Sequence, residues 1–250
     1  MMEALYHIGF DDTHGAKYAI LPGDPGRVEK IAAFLDNPRF YHQNREYTTW
    51  LGEIEGQPVL VMSTGMGGPS TAIAVEELYM TGVRTFIRVG TCGGMQTEVM
   101  GGDVVIASAA IRMEGTTREY VPIEFPAVAD VGVTGALIRA AKDLGFAYHA
   151  GVVQCKDSFY GQHNPDRMPA GYELKQKWEA WIKAGCLASE MESATLFVVA
   201  QVLRARAGCV LSTVWNQERA RQGLSNPECH DPERAIKTAV EAVRLLIEEE

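Results

Sequence analysis

Residues Thr85–Gly94 read TFIRVGTCGG, an apolar run of strand length that contains one arginine and ends in glycines. Thr85–Val89 is the pattern of a strand buried in the middle of a sheet, with Gly90-Thr91-Cys92-Gly93-Gly94 as the turn beyond it. Two more junctions of this kind lie upstream. Lys17–Leu21 (KYAIL) runs into Pro22-Gly23-Asp24-Pro25, and PVLVMST (58–64) runs into Gly65-Met66-Gly67-Gly68. Each is followed by helical spacing, over Arg27–Leu35 and from Pro69 to about Met80. EYTTWLGEI (46–54) and PVLVMST flank Glu55-Gly56-Gln57, which predicts a hairpin. The alternation continues with strands at Asp103–Ile111, Ala150–Cys155 and Cys209–Val214. Helices are predicted at Val133–Leu144, Tyr172–Ala184, Ser193–Arg206 and Glu233–Glu248, with a loop over Tyr160–Gly171. No repeat or linker interrupts the pattern, so residues 1–250 are expected to form a single α/β domain with a mixed sheet.

A chain of 250 residues buries about 70–75% of the surface it would expose unfolded, so it needs neither disulfide nor metal for stability. Its 23 Lys and Arg against 32 Asp and Glu leave a formal charge of −9. That balance offers no net attraction to a nucleic-acid backbone or an anionic membrane, so an anion must be met by placed arginines. The five cysteines show no CxxC spacing and suit a reducing compartment, where they serve as small apolar residues. The start, MMEALYHIGF, lacks a signal pattern, and no apolar run approaches the ~18–20 residues of a membrane span. The expectation is a cytoplasmic protein without nucleic-acid or membrane partners.

Ligands of open α/β sheets bind beyond the carboxyl ends of strands, where glycines let backbone N–H groups approach an anion. Tight-turn geometry alone would also explain each glycine. Arg88 adds to the first reading, because a charge inside an apolar strand is costly unless it is paired. Its partner is either a structural carboxylate or a phosphate gripped by guanidinium forks and the Thr91 hydroxyl. GMGGPS (65–70) is a poor dinucleotide fingerprint, since Ser70 replaces the third glycine and no acid follows on the next strand. There is no Walker lysine, GxSxG elbow, HExxH or EF-hand loop. Ser189-Glu190-Met191-Glu192 offers carboxylates for sugar hydroxyls and a thioether for a sugar face, although Ser189-x-x-Glu192 also reads as a capping box. Phe159 and Gln162 combine a stacking ring with a carboxamide, which suits a planar base edge; core packing is the other reading of Phe159.

Taken together, LPGDPGRVEKIA, REYTTW, STGMGGPSTAIAVEEL, FIRVGTCGG, PIEFPAVAD, SFYGQ and SEMESATLF resemble the nucleoside phosphorylases, most closely their bacterial uridine phosphorylase branch. The resemblance runs from His7-Ile8-Gly9-Phe10 to the final helix. It implies a distorted mixed β-barrel flanked by helices, and phosphorolysis of uridine to uracil and ribose 1-phosphate in nucleoside salvage. It implies a phosphate site of Gly23, Arg27, Arg88 and Thr91, with Arg45 donated by a neighbouring subunit. The implied ribose site is Glu190, Met191 and Glu192, with His7 from that neighbour, and the base would meet Phe159 and Gln162. Arg27, Arg88 and Glu192 would carry the catalysis. Inorganic phosphate is the co-substrate, with no cofactor for the chemistry. A potassium ion at the dimer interface would use Glu46, the Met66 carbonyl and Ser70. The implied assembly is at least a dimer, and in this branch a hexamer of three dimers.

Two positions depart from the branch. Asn164 stands where an arginine contacts the base, which leaves Arg167 or His163 as substitutes, and Gln217 replaces a second arginine, with Arg219 or Arg221 nearby. Purine-specific relatives carry an acid at the end of the last strand, where Trp215-Asn216 has none. Nucleosidases lack the phosphate arginines. The alternatives are therefore a phosphorylase of relaxed or different base preference, then a nucleosidase or a non-catalytic nucleoside-binding protein.

Overall fold

The strand at Thr85 lies where the sheet closes on itself. The computed structural model describes residues 3–250. In chain order the elements are β1 (Tyr18–Pro22), α1 (Val28–Ala32), β2 (Asp36–Asn44), β3 (Tyr47–Ile54), β4 (Gln57–Met62), α2 (Gly68–Met80), β5 (Thr85–Gly94), β6 (Val104–Met113) and β7 (Ala127–Val128). There follow α3 (Val131–Asp143), β8 (Tyr148–Lys156), α4 (Phe159–His163), α5 (Gly171–Lys183), β9 (Ala188–Glu190), α6 (Ser193–Val202), β10 (Arg206–Asn216), α7 (Gln217–Arg221) and α8 (Glu233–Glu248). The sheet order is β10-β6-β8-β9-β5-β1-β4-β3-β2, and β10 also pairs with β5. That last pairing closes β10, β6, β8, β9 and β5 into a ring, from which β1, β4, β3 and β2 extend. The chain is thus a single α/β domain with a mixed sheet, as the strand pattern implies.

Alternation along β5 explains how one strand serves both cores. Phe86 packs with Val75, Leu78, Leu196 and Phe197 of α2 and α6. Ile87 and Val89 face the opposite side, with Val133 and Leu137 of α3 and Val240 and Val243 of α8. Fully burying each of these side chains contributes roughly 1.5–3 kcal/mol. Arg88, two residues from Phe86, shares its side of the strand. Cys92, Cys155, Cys186 and Cys209 are buried free thiols, and burial pushes Cys92 and Cys186 up to about 12. Among the described residues no helix is long and apolar enough to cross a membrane.

Several boundaries differ from the sequence reading. β5 continues as strand through Gly90–Gly94, pairing there with β9 and β10, so these glycines do not form a turn. A Cβ on Gly90 would sit 2.6 Å from Arg88 Nη2, so this glycine makes room for the guanidinium. The helix expected over Arg27–Leu35 is a 3-10 turn at Pro25–Arg27 followed by the short α1. β2, largely exposed and polar, is an edge strand with no apolar stripe to announce it. The loop predicted over Tyr160–Gly171 begins inside α4 and includes a 3-10 turn at Pro165–Arg167. The helix expected to reach Arg206 ends at Val202, where β10 is about to begin.

Candidate active site

A cleft of about 940 Å³ opens over the carboxyl ends of β1, β5 and β8. Gly23, Arg27, Arg88 and Thr91 line one end, and Glu190, Met191 and Glu192 line its floor. Lys156, Phe159, Gln162, His163 and Trp215 line the other end, and Glu46, Met66 and Ser70 the rim.

Arg88 is the centre of the first end. Its Nε donates to Glu190 Oε2 at 3.0 Å, and Nη2 forms a close ion pair with Glu192. Nη1 is buried with no hydrogen-bond partner among the described residues. It points toward Gly23, where a Cβ would lie 3.8 Å from it and only 3.0 Å from the Gly65 carbonyl. The structural reading of Arg88 holds: two of its nitrogens serve buried carboxylates. Burial works against the Arg88 charge, but Glu192 and Glu190 outweigh it and keep the guanidinium more firmly protonated than usual. Arg27, whose pKa is lowered by its own burial and by Arg88, with Asp24 partly offsetting this, adds a second positive group to the same end.

The carboxylates are held in different ways. Glu190 accepts from the backbone N–H of Glu192 (2.9 Å) and Ser193 (3.0 Å) and from Ser193 Oγ. It thus caps α6 itself. The Ser189-x-x-Glu192 capping box does not form: Ser189 lies in β9 and Glu192 makes no side-chain cap. Burial would raise the Glu190 pKa, yet Arg88 and the Ser193 bond lower it below the usual carboxylate range. Glu192 Oε1 accepts from the Gly67 N–H at 2.7 Å, at a backbone position with φ of 88° that favours glycine. Burial, with help from Glu190, raises the Glu192 pKa despite Arg88.

The other end is a polar network that the motifs did not reveal. Lys156, at the end of β8 and only 4% exposed, donates from Nζ to Ser189 Oγ at 2.7 Å. Its pKa is lowered, first by burial, with Glu190 opposing. Ser189 Oγ is 2.7 Å from both Gln154 Oε1 and Gln162 Oε1, and Gln162 Nε2 donates to Gln217 Oε1 at 3.0 Å. Phe159 is half exposed and lies 4.3 Å from the His163 ring, which leaves it in reach of a ligand and outside the core. A lysine closing a strand reads as solvated, and only the register of β8 against β9 turns it inward.

Three expected contributors lie outside this cleft. His7 is bound through Nδ1 to Glu77 Oε1 at 2.5 Å, and Arg45 is exposed at the β2–β3 turn with its guanidinium 5.5 Å from the Tyr6 ring. Arg167 sits over the Tyr160 ring at 5.2 Å and is not brought to the base end. Arg219 is likewise occupied, bonding Ser225 O and Thr97 O. Asn216 is buried, caps α7 through Oδ1 and ties down Gln96 and Val99 through Nδ2.

Residues 17–248 match the phosphorylase superfamily. The uridine phosphorylase of Treponema pallidum (strain Nichols) is 57% identical over 242 residues, covering 97% of this chain and 94% of that protein. The uridine phosphorylase of Escherichia coli (strain K12) is 44% identical over 250 residues, covering 97% and 98%. A guanosine phosphorylase of Halorubrum lacusprofundi is 37% identical over 236 residues, covering 94% and 92%.

Proposed function

The chain belongs to the phosphorylase superfamily, and from that premise we propose that it is a uridine phosphorylase, a pentosyltransferase that cleaves uridine with phosphate to uracil and ribose 1-phosphate. The observation that carries this reading is Arg88, which lines the cleft, is pinned by two buried carboxylates and has no partner for Nη1 among the described residues. A buried cationic nitrogen without a partner is costly, and a phosphate oxygen supplies one.

The reaction breaks the bond between C1′ and the base as positive charge grows on the ribosyl ring. Phosphate must then lie beside C1′, where its negative charge is worth most. Arg88 Nη1, Arg27 and Thr91 hold it there, with Gly23 allowing close approach. Glu192 accepts from the ribose hydroxyls and Met191 packs against the sugar, while Glu190, fully buried and committed to Arg88 and the start of α6, holds Arg88 in place. Hydrogen bonds to ribose hydroxyls that strengthen as the cation develops favour the transition state over the ground state. The electron pair of the broken bond passes to the base. Lys156, beside Gln162, is the cation placed to stabilise it, in the role that neither Asn164 nor Arg167 fills. Phe159 supplies the stacking face. Asn216 is committed to structural bonds and is not an acid, which favours uracil over a purine that needs protonation.

His7 and Arg45 are assigned to the cleft of a second copy, which makes the working unit at least a dimer; a hexamer of three dimers fits the resemblance. Mixing an inactive Arg88 variant with an inactive Arg45 variant would restore activity through mixed dimers, and no restoration would refute the shared site. Glu46, whose carboxyl is kept low first by its own backbone N–H and then by Ser70 Oγ at 2.8 Å, is an anionic oxygen donor beside a hydroxyl and the Met66 carbonyl. These hard oxygen donors suit a potassium ion, which would neutralise paired Glu46 carboxylates at the interface. A cytoplasmic salvage role is consistent with the free thiols.

The deciding experiment is uracil release from uridine with and without phosphate. Strict dependence on phosphate is expected, and equal release in its absence would overturn the assignment.

A further inference from the structure

We propose that Ser189 and Gln217 are positioning residues that hold the Gln162 amide in one orientation, Oε1 toward Ser189 and Nε2 toward Gln217, so that the base pocket selects an imide edge. This inference rests on the uridine reading and explains how the cleft would read the base without the arginines of the branch.

The polarity of the network starts at Lys156. An ammonium group can only donate, so Ser189 Oγ accepts from it and must send its single proton outward. Two amide oxygens stand at 2.7 Å to receive that proton, Gln154 Oε1 and Gln162 Oε1. Gln154 is the one free to turn. Its Nε2 meets only the weakly accepting Sδ of Met113 at 3.2 Å, and a half-turn of the amide lets Nε2 donate to Ser189 instead. While Gln217 presents Oε1, Gln162 gains nothing by turning, because its Nε2 donates to that oxygen at 3.0 Å and the flip would set two carbonyl oxygens against each other. The consistent circuit therefore runs from Lys156 through Ser189 to Gln162 and on to Gln217.

Held this way, Gln162 keeps one further acceptor site on Oε1 and one further N–H on Nε2. An acceptor beside a donor is the complement of an imide, in which an N–H lies next to a carbonyl, as in uracil and thymine. Cytosine has no proton on N3, so the fixed Oε1 would face its lone pair. A freely turning amide could present Nε2 instead and would discriminate less. Gln217 acts here through Gln162: it lines a second chamber of about 350 Å³ behind that residue, and it is absent from the lining of the cleft itself.

The test compares the KM of uridine with the inhibition constant of cytidine in the wild-type protein and in Ser189→Ala, Gln217→Met and Gln217→Glu, each checked by thermal melting. Ser189→Ala and Gln217→Met are expected to lower the ratio of cytidine inhibition constant to uridine KM about tenfold, the equivalent of one hydrogen bond. Their kcat for uridine should fall by less than that ratio. Gln217→Glu retains an acceptor of the same length and should keep the ratio within about twofold. An unchanged ratio in both Ser189→Ala and Gln217→Met would overturn the proposal, and so would an equal loss in Gln217→Glu and Gln217→Met. Failure of the wild-type protein to cleave uridine would instead remove the functional reading itself, and is seen before any variant is made.

Discussion

At the Arg88 end of the cleft, full charges are buried against one another on strand ends and the first turn of α6. At the Gln162 end, one lysine is followed by a chain of neutral amides and a hydroxyl, partly carried on the five-residue helices α4 and α7. The first arrangement is rigid because breaking any ion pair strands a buried charge. The second is rewired by substituting a single amide or hydroxyl, since its bonds beyond Lys156 are neutral and no further charge is stranded. On the proposed reading the reacting centre is thus fixed while base recognition is adjustable by substitution, which would account for a fold shared by relatives named for uridine and for guanosine.

The sharpest way to break the contrast is at Arg88. Removing the side chain leaves Glu190 and Glu192 buried without their cation, so Arg88→Ala should lose about 3–5 kcal/mol of stability as well as turnover. Arg88→Lys retains a charge but cannot fork to three partners. Its kcat/KM at fixed phosphate should fall about 10²–10³-fold, the worth of one donor lost from a charged oxygen at a reacting centre. Wild-type phosphate dependence in a folded Arg88→Lys protein would show that Nη1 does not meet phosphate.

Glu192→Gln comes next and separates ground-state from transition-state binding. The expected loss is about 10²-fold, mainly in kcat, since the bonds to the ribose hydroxyls matter most as the cation develops. The raised Glu192 pKa fixes the sign of the pH effect. As pH falls, Glu192 takes up its proton above the ordinary carboxylate range and ceases to be a pure acceptor, so kcat/KM declines on the acid side. Glu192→Gln should abolish that limb, and an identical acid profile in the variant would assign it to another group.

At the adjustable end, Lys156→Met should raise the KM of uridine about 10–100-fold, the worth of a hydrogen bond to a charged group. Because burial depresses the Lys156 pKa, its charge is lost at lower pH than in an ordinary lysine. Uridine binding should therefore weaken as pH rises through that depressed value. Lys156→Arg should carry the limb to higher pH, whereas an unmoved limb would mean that Lys156 does not address the base.

The same contrast explains what could be read from the chain. Arg88 in an apolar strand and Glu190-Met191-Glu192 before a helix are anomalies against burial and capping, so the charged half was visible, though not that Arg88 would pair with Glu190 and Glu192 themselves. Gly90 read as a turn because the guanidinium it accommodates belongs to its own strand. Lys156 looked like an ordinary strand-end polar residue and Gln217 stood out only as the replacement of an arginine, and no local pattern tells that the end of β8 and the start of α7 bring them to the Gln162 network. Arg167 looked closer in sequence than it is in space, since the 3-10 turn at Pro165 directs it onto Tyr160. The roles of His7 and Arg45 came from the resemblance, and the place proposed for them in a neighbour's cleft would be a property of two chains.

Phe159 tests the adjustable end with the smallest effect. The ring is half exposed and opens α4 after the Ser158 cap, whose Oγ accepts from the Gly161 N–H at 2.9 Å. Its replacement disturbs neither that cap nor the core. Phe159→Ala removes a stacking face worth roughly 1 kcal/mol, so the KM of uridine should rise about fivefold while kcat changes little. Phe159→Tyr keeps the face and should behave as the wild type. A kcat loss in Phe159→Ala that rivals Glu192→Gln would mean that α4 also orders the reacting centre, and the division between a fixed and an adjustable half would no longer stand.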